Sequence, residues 1–410
     1  MADVAGTGDW LAVAPAGRVG AGPLPVTVDG VPLVLLRAAD GVPVAWLDRC
    51  PHRLVPLSAA TVEGGALRCP YHGWAFTADG RCVDLPSRPP GAPLPPRAHL
   101  APGPRVREAD GTVWLDRSGL AGAGPEPLLS NVDDVLSRAW HPVALSTEVT
   151  AERRVLLVGR EWTLRRTDRG SLAAEPGPHG LRERWGVVWL APGPPAVELF
   201  DDPDDEDAAY VGAWLPPVRT PAPAGAVADN FLDVAHFPFV HAGTFGAGEE
   251  RVVPEYQVTP EPDGCRSVQE QWFDNPADPG VAAGLRPVRQ RRRATYVYRA
   301  PFQLMLRLEE LDAGAVKTIL FFVQPESLTS SRIYTKMLLY GIGGVPRPGP
   351  DVVAREVAFE EAVLAEDLAL QRQMRLTGLP LRPRDELHVR ADRLGVALRT
   401  ELRRFVARTS

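Results

Sequence analysis

Two short segments limit what this chain can fold into more than any other part of its sequence. Cys50-Pro51-His52 is followed, after the residues Arg53 to Arg68, by Cys69-Pro70-Tyr71-His72-Gly73-Trp74. Each segment offers one thiolate and one imidazole close together, and the Pro and Gly beside them mark tight loops. Two mixed pairs suit a two-iron, two-sulfide cluster in which Cys50 and Cys69 hold one iron and His52 and His72 the other. Replacing two thiolates by neutral imidazoles removes negative charge and raises the potential above that of an all-Cys cluster. A Cys2His2 zinc site would use the same four side chains, although zinc more often takes two Cys as one pair and two His as another. Cys82 and Cys265 are predicted to be buried thiols, Cys82 packing behind the cluster.

Such loops need a scaffold of short strands. Residues 10–117 read as all-β: β-rich runs such as Leu33–Arg37 and Gly111–Leu115 alternate with Gly-, Pro- and Asp-containing turns. Pro86–Pro104 is too proline-rich for a helix or a central strand and is predicted to wrap over a surface. The whole chain has 43 Pro and 38 Gly in 410 residues, yet its 45% hydrophobic content and ten Trp supply sizeable cores and exclude a disordered chain. A net charge of −6 excludes a strongly basic nucleic-acid binder. No apolar run approaches the ~20 residues of a membrane helix. The N-terminal MADVAGTGDW lacks the features of a secretory signal, and four cysteines are too few for a disulfide scaffold. Cytoplasmic is the expectation.

The β-pattern recurs. Trp10, Val13, Ala14 and Val19 match Trp140, Val143, Ala144 and Val149, and Gly30, Leu35, Arg37, Gly41 and Ala45 match Gly159, Leu164, Arg166, Gly170 and Ala174. The closing strand Val113-Trp114-Leu115 matches Val188-Trp189-Leu190. What the second stretch lacks is the segment with the Cys and His residues. It reads as a truncated, cluster-less copy of the first.

After the acidic run Asp201–Asp207, expected to be a solvated boundary loop, strand-length apolar runs follow: Tyr210–Leu215, Ala294–Arg299, Gln303–Leu311, Ala315–Gln324 and Arg332–Leu339. They predict a second, antiparallel sheet. Helical patterns follow at Asp351–Met374 and Asp385–Arg408, making the chain α+β.

A second set of ligands lies between. Residues 229–241 read Asp-Asn-Phe-Leu-Asp-Val-Ala-His-Phe-Pro-Phe-Val-His. Asp233 precedes His236 by three residues, the spacing of one face of a helical turn, and Pro238 breaks any continuous helix before His241. Two imidazoles and a carboxylate from elsewhere would form the facial triad of a mononuclear iron(II) site. On the helix Asp351–Met374, Asp367 and Glu360 face the same way at the edge of the apolar stripe Val353, Val357, Leu364 and Leu368, while Glu366 points away from it.

With the Cys/His spacing and the D-x-x-H-x4-H motif both present, the chain resembles the oxygenase component of Rieske non-haem iron oxygenases, from about Trp10 to the last helix. Within that family it is most similar to the vanillate-demethylase-like and dicamba-monooxygenase-like branch. The resemblance implies an all-β Rieske [2Fe-2S] domain (8–120), here with the cluster-less repeat (138–192), and a helix-grip antiparallel-sheet catalytic domain (205–410). It implies Asp367 as the third ligand of a mononuclear Fe(II), with Glu366 and Glu360 as rivals. It implies that Asp233 bridges the iron site to His72 of a neighbouring subunit, in a homotrimer, because the two centres of one subunit lie too far apart. Asn230 is expected near the iron, against substrate or oxygen.

The activity so implied is O2-dependent hydroxylation or oxidative demethylation of a small, apolar or aromatic substrate, mono- or dioxygenase in type. No dinucleotide or flavin site is visible, so a separate reductase, a ferredoxin or both must supply electrons, and Arg49, Arg53, Arg68 and Arg81 are candidate docking charges. The alternative class is a Rieske electron-transfer or redox protein without oxygenase activity.

Overall fold

The computed structural model describes residues 8–120, 128–246, 249–276 and 278–409. Of the segment read for a secretory signal, residues 1–10, the first seven lie outside them. Among the described residues no helix is long and apolar enough to cross a membrane.

The first β-unit consists of three small antiparallel sheets. Trp10–Pro15 pairs with Thr112–Asp116, which pairs with Val106–Ala109; Leu24–Val28, Val31–Arg37 and Pro43–Leu47 form the second. Alternate residues of these strands, Leu33, Leu35, Val113 and Leu115, turn inward and form one core. The third sheet, Thr61–Glu63, Ala66–Arg68, Ala75–Phe76 and Cys82–Asp84, carries the Cys69 loop between its second and third strands. Pro86–Pro104 forms neither helix nor strand and touches the sheets through two isolated bridges, Trp46 to Pro102 and Arg81 to His99.

In the second β-unit, His141–Leu145, Val187–Ala191 and Gly180–Arg184 form one sheet and Glu152–Leu157, Arg160–Arg166 and Leu172–Glu175 another. The pairing order is that of the first two sheets above. Arg37 Nε donates to Val19 O and Arg166 Nε to Val149 O; the two guanidiniums also pair with Glu108 and Glu183. Arg107 lies 4.2 Å over the Trp10 ring and Arg182 4.0 Å over the Trp140 ring.

The C-terminal part is built on an eight-stranded antiparallel sheet. Its neighbours run Val211–Trp214, Ser330–Tyr340, Ala315–Ser327, Gln303–Glu310, Arg289–Arg299, Gly264–Asp274 and Thr259–Glu261, and Val218–Thr220 also pairs with Ser330–Tyr340. The sheet buries both faces. One packs against the helices Ala224–Phe231 and Arg393–Thr409 through Tyr296, Tyr298, Leu304 and Phe321; the other packs Leu320, Phe322 and Tyr334 against Trp185 and Trp189 of the second β-unit.

Three local expectations are corrected. The last helix begins at Arg393 rather than Asp385, because the preceding residues are drawn onto the first β-unit: Leu387 N donates to Pro51 O and Asp392 meets His52. Asp233 and His236 do not share a helical turn, since the helix Ala224–Phe231 ends before Asp233 and a new turn, Phe237–Val240, starts after His236. The acidic run is not wholly solvated: Asp204 is buried and accepts from Arg307 Nε and Thr318 Oγ1 at 2.8 and 2.7 Å.

Candidate metal centres

The two Cys/His loops have one backbone design. Cys50 N donates to Val55 O and Leu54 N to Cys50 O; Cys69 N donates to Trp74 O and Gly73 N to Cys69 O. Each loop closes through a left-handed residue, Leu54 (φ 58°) or Gly73 (φ 67°). The fold thus brings two thiols and two imidazoles together, all at most 2% exposed. Burial and the adjacent Cys69 push the Cys50 thiol up, while Cys50 and the backbone amides of Tyr71 and His72 lower the Cys69 thiol, and the amide of His52 favours the thiolate of Cys50. The rings of His52 and His72 are 4.2 Å apart, and Trp74 stacks on His52 at 4.5 Å.

The imidazoles test whether a cluster fits. His52 Nε2 lies 3.0 Å from Asp392 Oδ1 and His72 Nε2 2.7 Å from Asp233 Oδ2. Both Nδ1 atoms are buried with no protein partner. A buried nitrogen left unpaired on each ring, with the opposite nitrogen fixed by a carboxylate, is what two His ligands to one iron need. Burial, against the pull of Asp233, depresses the His72 pKa to about 4 and keeps the ring neutral. Cys82 lies in the same apolar cluster as Cys50 and Cys69, and Cys265 is buried in the sheet, both as expected from sequence.

The second centre forms where the turn after Ala224–Phe231 faces the helix Pro350–Gln371. His236 Nε2 and His241 Nε2 are 3.0 Å apart, and Asp367 Oδ1 is 3.4 Å from each. The ligand atoms of these three lie within 4.8 Å of one another, as a site for a single metal ion requires. Burial disfavours charge on His236, but Asp233 and Asp367 outweigh it and raise its pKa to about 9; the two imidazoles in turn hold Asp367 down at about 2. An ionised carboxylate between two imidazoles is the donor set of a facial triad, and it fits iron(II).

Of the rival carboxylates, Glu366 does not point away from the site. It receives His241 Nδ1 at 3.0 Å and Thr244 Oγ1 at 2.7 Å, and so orients a ligand. Glu360 lies outside the converging group and lines the cavity, where burial raises its pKa. Asn230 lines the cavity beside the triad, and its amide donates to Tyr71 OH at 3.0 Å and Asp367 Oδ1 at 3.2 Å and accepts from Gln371 at 2.8 Å.

Asp233 joins the two centres. One oxygen is held by His72; the other lies 3.8 Å from His236 Nδ1. Both histidines belong to the same chain as Asp233. The resemblance implied a contact between neighbouring subunits, and the structure makes it within one chain. Beside it lies a buried charge network absent from the sequence reading. Arg53, expected as a surface docking charge, is 3% exposed and meets Asp229 at 3.2 Å and Asp392 at 3.3 Å, and Arg399 ties Asp229 to Glu386. Arg68 and Arg81 are also paired, with Glu63, Asp84 and Asp79.

A cavity of about 630 Å3 opens at the triad, lined by His236, His241 and Asp367 with Phe231, Phe237, Phe245, Phe273 and Tyr296. Of the sheet's aromatic residues, Phe273 and Tyr296 line it. Phe321 packs behind Phe231, Phe322 faces the second β-unit, and Trp272 is exposed.

Residues 9–100 match the Rieske [2Fe-2S] domain and residues 220–408 the vanillate O-demethylase oxygenase C-terminal domain. The chain belongs to the Rieske non-haem iron oxygenases. Cluster and iron are therefore the cofactors of its two sites. A probable methylxanthine N7-demethylase, NdmC, from Pseudomonas sp. (strain TJI-51) is 29% identical over 63% of this chain and 91% of its own length. The oxygenase component of dicamba O-demethylase from Stenotrophomonas maltophilia is 38% identical over 26% of this chain and 30% of its own. In other curated relatives the alignment spans 20% to 31% of the relative's length. Among solved structures, NdmA of Pseudomonas putida CBB5 with caffeine is 20% identical, with coverage of 96% and 89% and a TM-score of 0.43.

Proposed function

We propose that this Rieske oxygenase uses O2 and externally supplied electrons to hydroxylate or oxidatively demethylate a small apolar or aromatic substrate. The observation that carries the reading is the triad His236, His241 and Asp367 in the lining of a cavity with aromatic and charged walls, one carboxylate away from a cluster histidine. When bound, the cluster supplies electrons singly and the iron(II) the site where O2 is activated; one oxygen atom goes to substrate and the other leaves as water.

The chain's own residues do the rest. Phe231, Phe237, Phe245 and Phe273 remove an apolar substrate from water and position it beside the triad. Glu366 fixes the His241 ring, and Asp233 fixes His72 while facing His236 across 3.8 Å. An electron carrier without oxygenase activity would have no use for the triad or the cavity.

The same reading assigns residues 8–120 to the Rieske domain, 205–410 to the catalytic domain and 138–192 to a degenerate Rieske-like copy, the last supported by the matched Arg37 and Arg166 contacts. It places the protein in the cytoplasm with a separate reductase, ferredoxin or both. A homotrimer is the family's assembly. The test is O2 uptake with a chemically reduced cluster against a panel of N- and O-methylated aromatic compounds. Formaldehyde or a hydroxylated product from the wild type, and none from His236→Ala, is expected. Equal product from both overturns the assignment.

A further inference from the structure

We propose that the cavity selects an apolar or aromatic substrate carrying a protonated amine roughly 10 Å from the carbon it oxidises, and that Glu360 receives this amine. It rests on the oxygenase reading and names the substrate class of that same site. An aromatic carboxylate is the class the cavity turns away.

The cavity has two unlike ends. Beside the triad, Phe245 stacks on His241 at 5.0 Å, and Tyr296 and Leu306, opposite each other in the sheet, pack with Phe231. Four residues farther along the same two strands, roughly 14 Å away, Arg292 and Glu310 lie opposite each other. The helix Pro350–Gln371 repeats this division along one face. Asp367 stands at the triad, Val363 one turn back, Glu360 two turns back and Glu356 three, all in the cavity wall. At about 1.5 Å per residue, Glu360 lies roughly 10 Å along the axis from Asp367.

Charges at the polar end do not balance. Arg286, Arg292 and Lys317 line the cavity, and each is already matched. Arg286 is bidentate on Asp278 at 2.6 and 2.7 Å, Lys317 Nζ meets Glu356 at 2.6 Å, and Arg292 Nη2 meets Glu249 at 3.2 Å. Arg292 Nε is buried out of a ligand's reach, and the guanidinium covers the Phe273 ring at 4.8 Å. Of the remaining carboxylates at this end, Asp274 turns to the surface, 3.9 Å from Arg289. Glu310 accepts from the Asn275 amide at 2.8 Å and has no cation at ion-pair distance among the described residues. Glu360 has neither a cation nor a hydrogen-bond donor among them.

Burial raises the pKa of Glu310 and Glu360, and Lys317, near both, opposes the rise. A carboxylate withdrawn from water without a counter-charge is costly, so a cation brought by the substrate is stabilised there and an anion is repelled. Glu360 is the receiving group because it makes no hydrogen bond of its own and stands in the helix row that ends at Asp367.

An independent observation marks this cavity as built for a ligand with a polar group. Tyr296 is 3% exposed and lines the cavity, yet its hydroxyl meets no donor or acceptor among the described residues. A buried phenol ordinarily has a hydrogen-bond partner, and a substrate atom supplies it here.

Three ligands that share a ring and a chain length test the proposal: para-methoxyphenyl-propylamine, the matching propanoic acid, and uncharged para-propylanisole. The extended amine spans the required distance from methyl carbon to nitrogen. Binding to the protein loaded with cluster and iron is measured by calorimetry without O2, near neutral pH. Formaldehyde is measured separately with O2 and a reductant. We expect the amine to bind about 10- to 100-fold more tightly than para-propylanisole, the range of one hydrogen bond between charged partners, and the acid to bind more weakly than either. In Glu360→Gln, with cluster absorbance checking the fold, the preference for the amine should fall about 10-fold or more. An amine that binds no better than the acid, or not at all in the millimolar range, overturns the proposal. So does a preference that survives Glu360→Gln. The wild-type comparison decides even where the variant does not fold. Amine-selective binding with no formaldehyde from any of the three would count against the oxygenase reading alone.

Discussion

His72 and Asp233 meet at 2.7 Å inside one chain, both buried, and the same carboxylate faces His236 across 3.8 Å. A carboxylate so placed fixes the tautomer of His72 and supplies the charge that His236 faces. Asp233→Asn should keep the cluster spectrum and most of the iron but lower turnover about 10- to 100-fold, as loss of an outer carboxylate does in other metal sites. Cluster absorbance, metal content and product formation on one preparation check this. Unchanged turnover would show that the bridge has no functional role.

Asp367→Asn removes the ionised oxygen between two imidazoles and should reduce the content of the mononuclear iron without affecting the cluster. Glu360→Gln, a change in the cavity wall, should leave both intact. Iron analysis of the two variants separates the ligand from its rival on the same helix.

Gly73 and Gly64 both have positive φ, 67° and 57°, but a Cβ at Gly73 would strike Phe239 whereas one at Gly64 meets nothing within 4 Å. Alanine at either position bears the backbone strain, about 1–3 kcal/mol. Only Gly73→Ala should also loosen the docking, lowering the melting temperature of the holoprotein further and increasing cluster loss. Equal melting shifts would contradict the close approach of Phe239.

Burial, with Asp204 nearby, raises the Asp202 pKa to about 6, and one of its oxygens is buried without a partner. An unfolded aspartate titrates near ~3.9. The folded state thus favours the protonated form, and the stability this confers is present at low pH and lost as pH rises through about 6. Asp202→Asn should be more stable than wild type by about 1–2 kcal/mol at pH 7.5, and the difference should shrink toward pH 5, as denaturant unfolding at the two pH values would show.

The ligands were legible in the sequence because they are local. Cys50 with His52, Cys69 with His72, and His236 with His241 are each fixed by a short loop whose spacing carries the chemistry. Asp367 needed only the phase of one helix, together with the family pattern. Of the supporting carboxylates, Asp233 was given by the resemblance but Asp392 was not legible: it lies 340 residues from His52, in a segment whose apolar spacing reads as continuous helix but which meets the cluster loop in a short turn, Arg390–Asp392, before the helix starts. Gly264–Asp274 was missed as a strand because one face presents Arg266, Glu270 and an exposed Trp272 to solvent. Whether Asp233 meets its own chain's His72 or a neighbour's cannot be read from sequence, since both arrangements use the same residues.

The most direct measurement is a count of iron, zinc and acid-labile sulfide per chain in the purified protein, with an EPR spectrum after reduction. About three irons and two sulfides, with the signal of a reduced two-iron cluster, are predicted from Cys50, His52, Cys69 and His72 together with His236, His241 and Asp367. Zinc in place of the cluster, or a protein that saturates at two irons when iron(II) is supplied, would contradict the account.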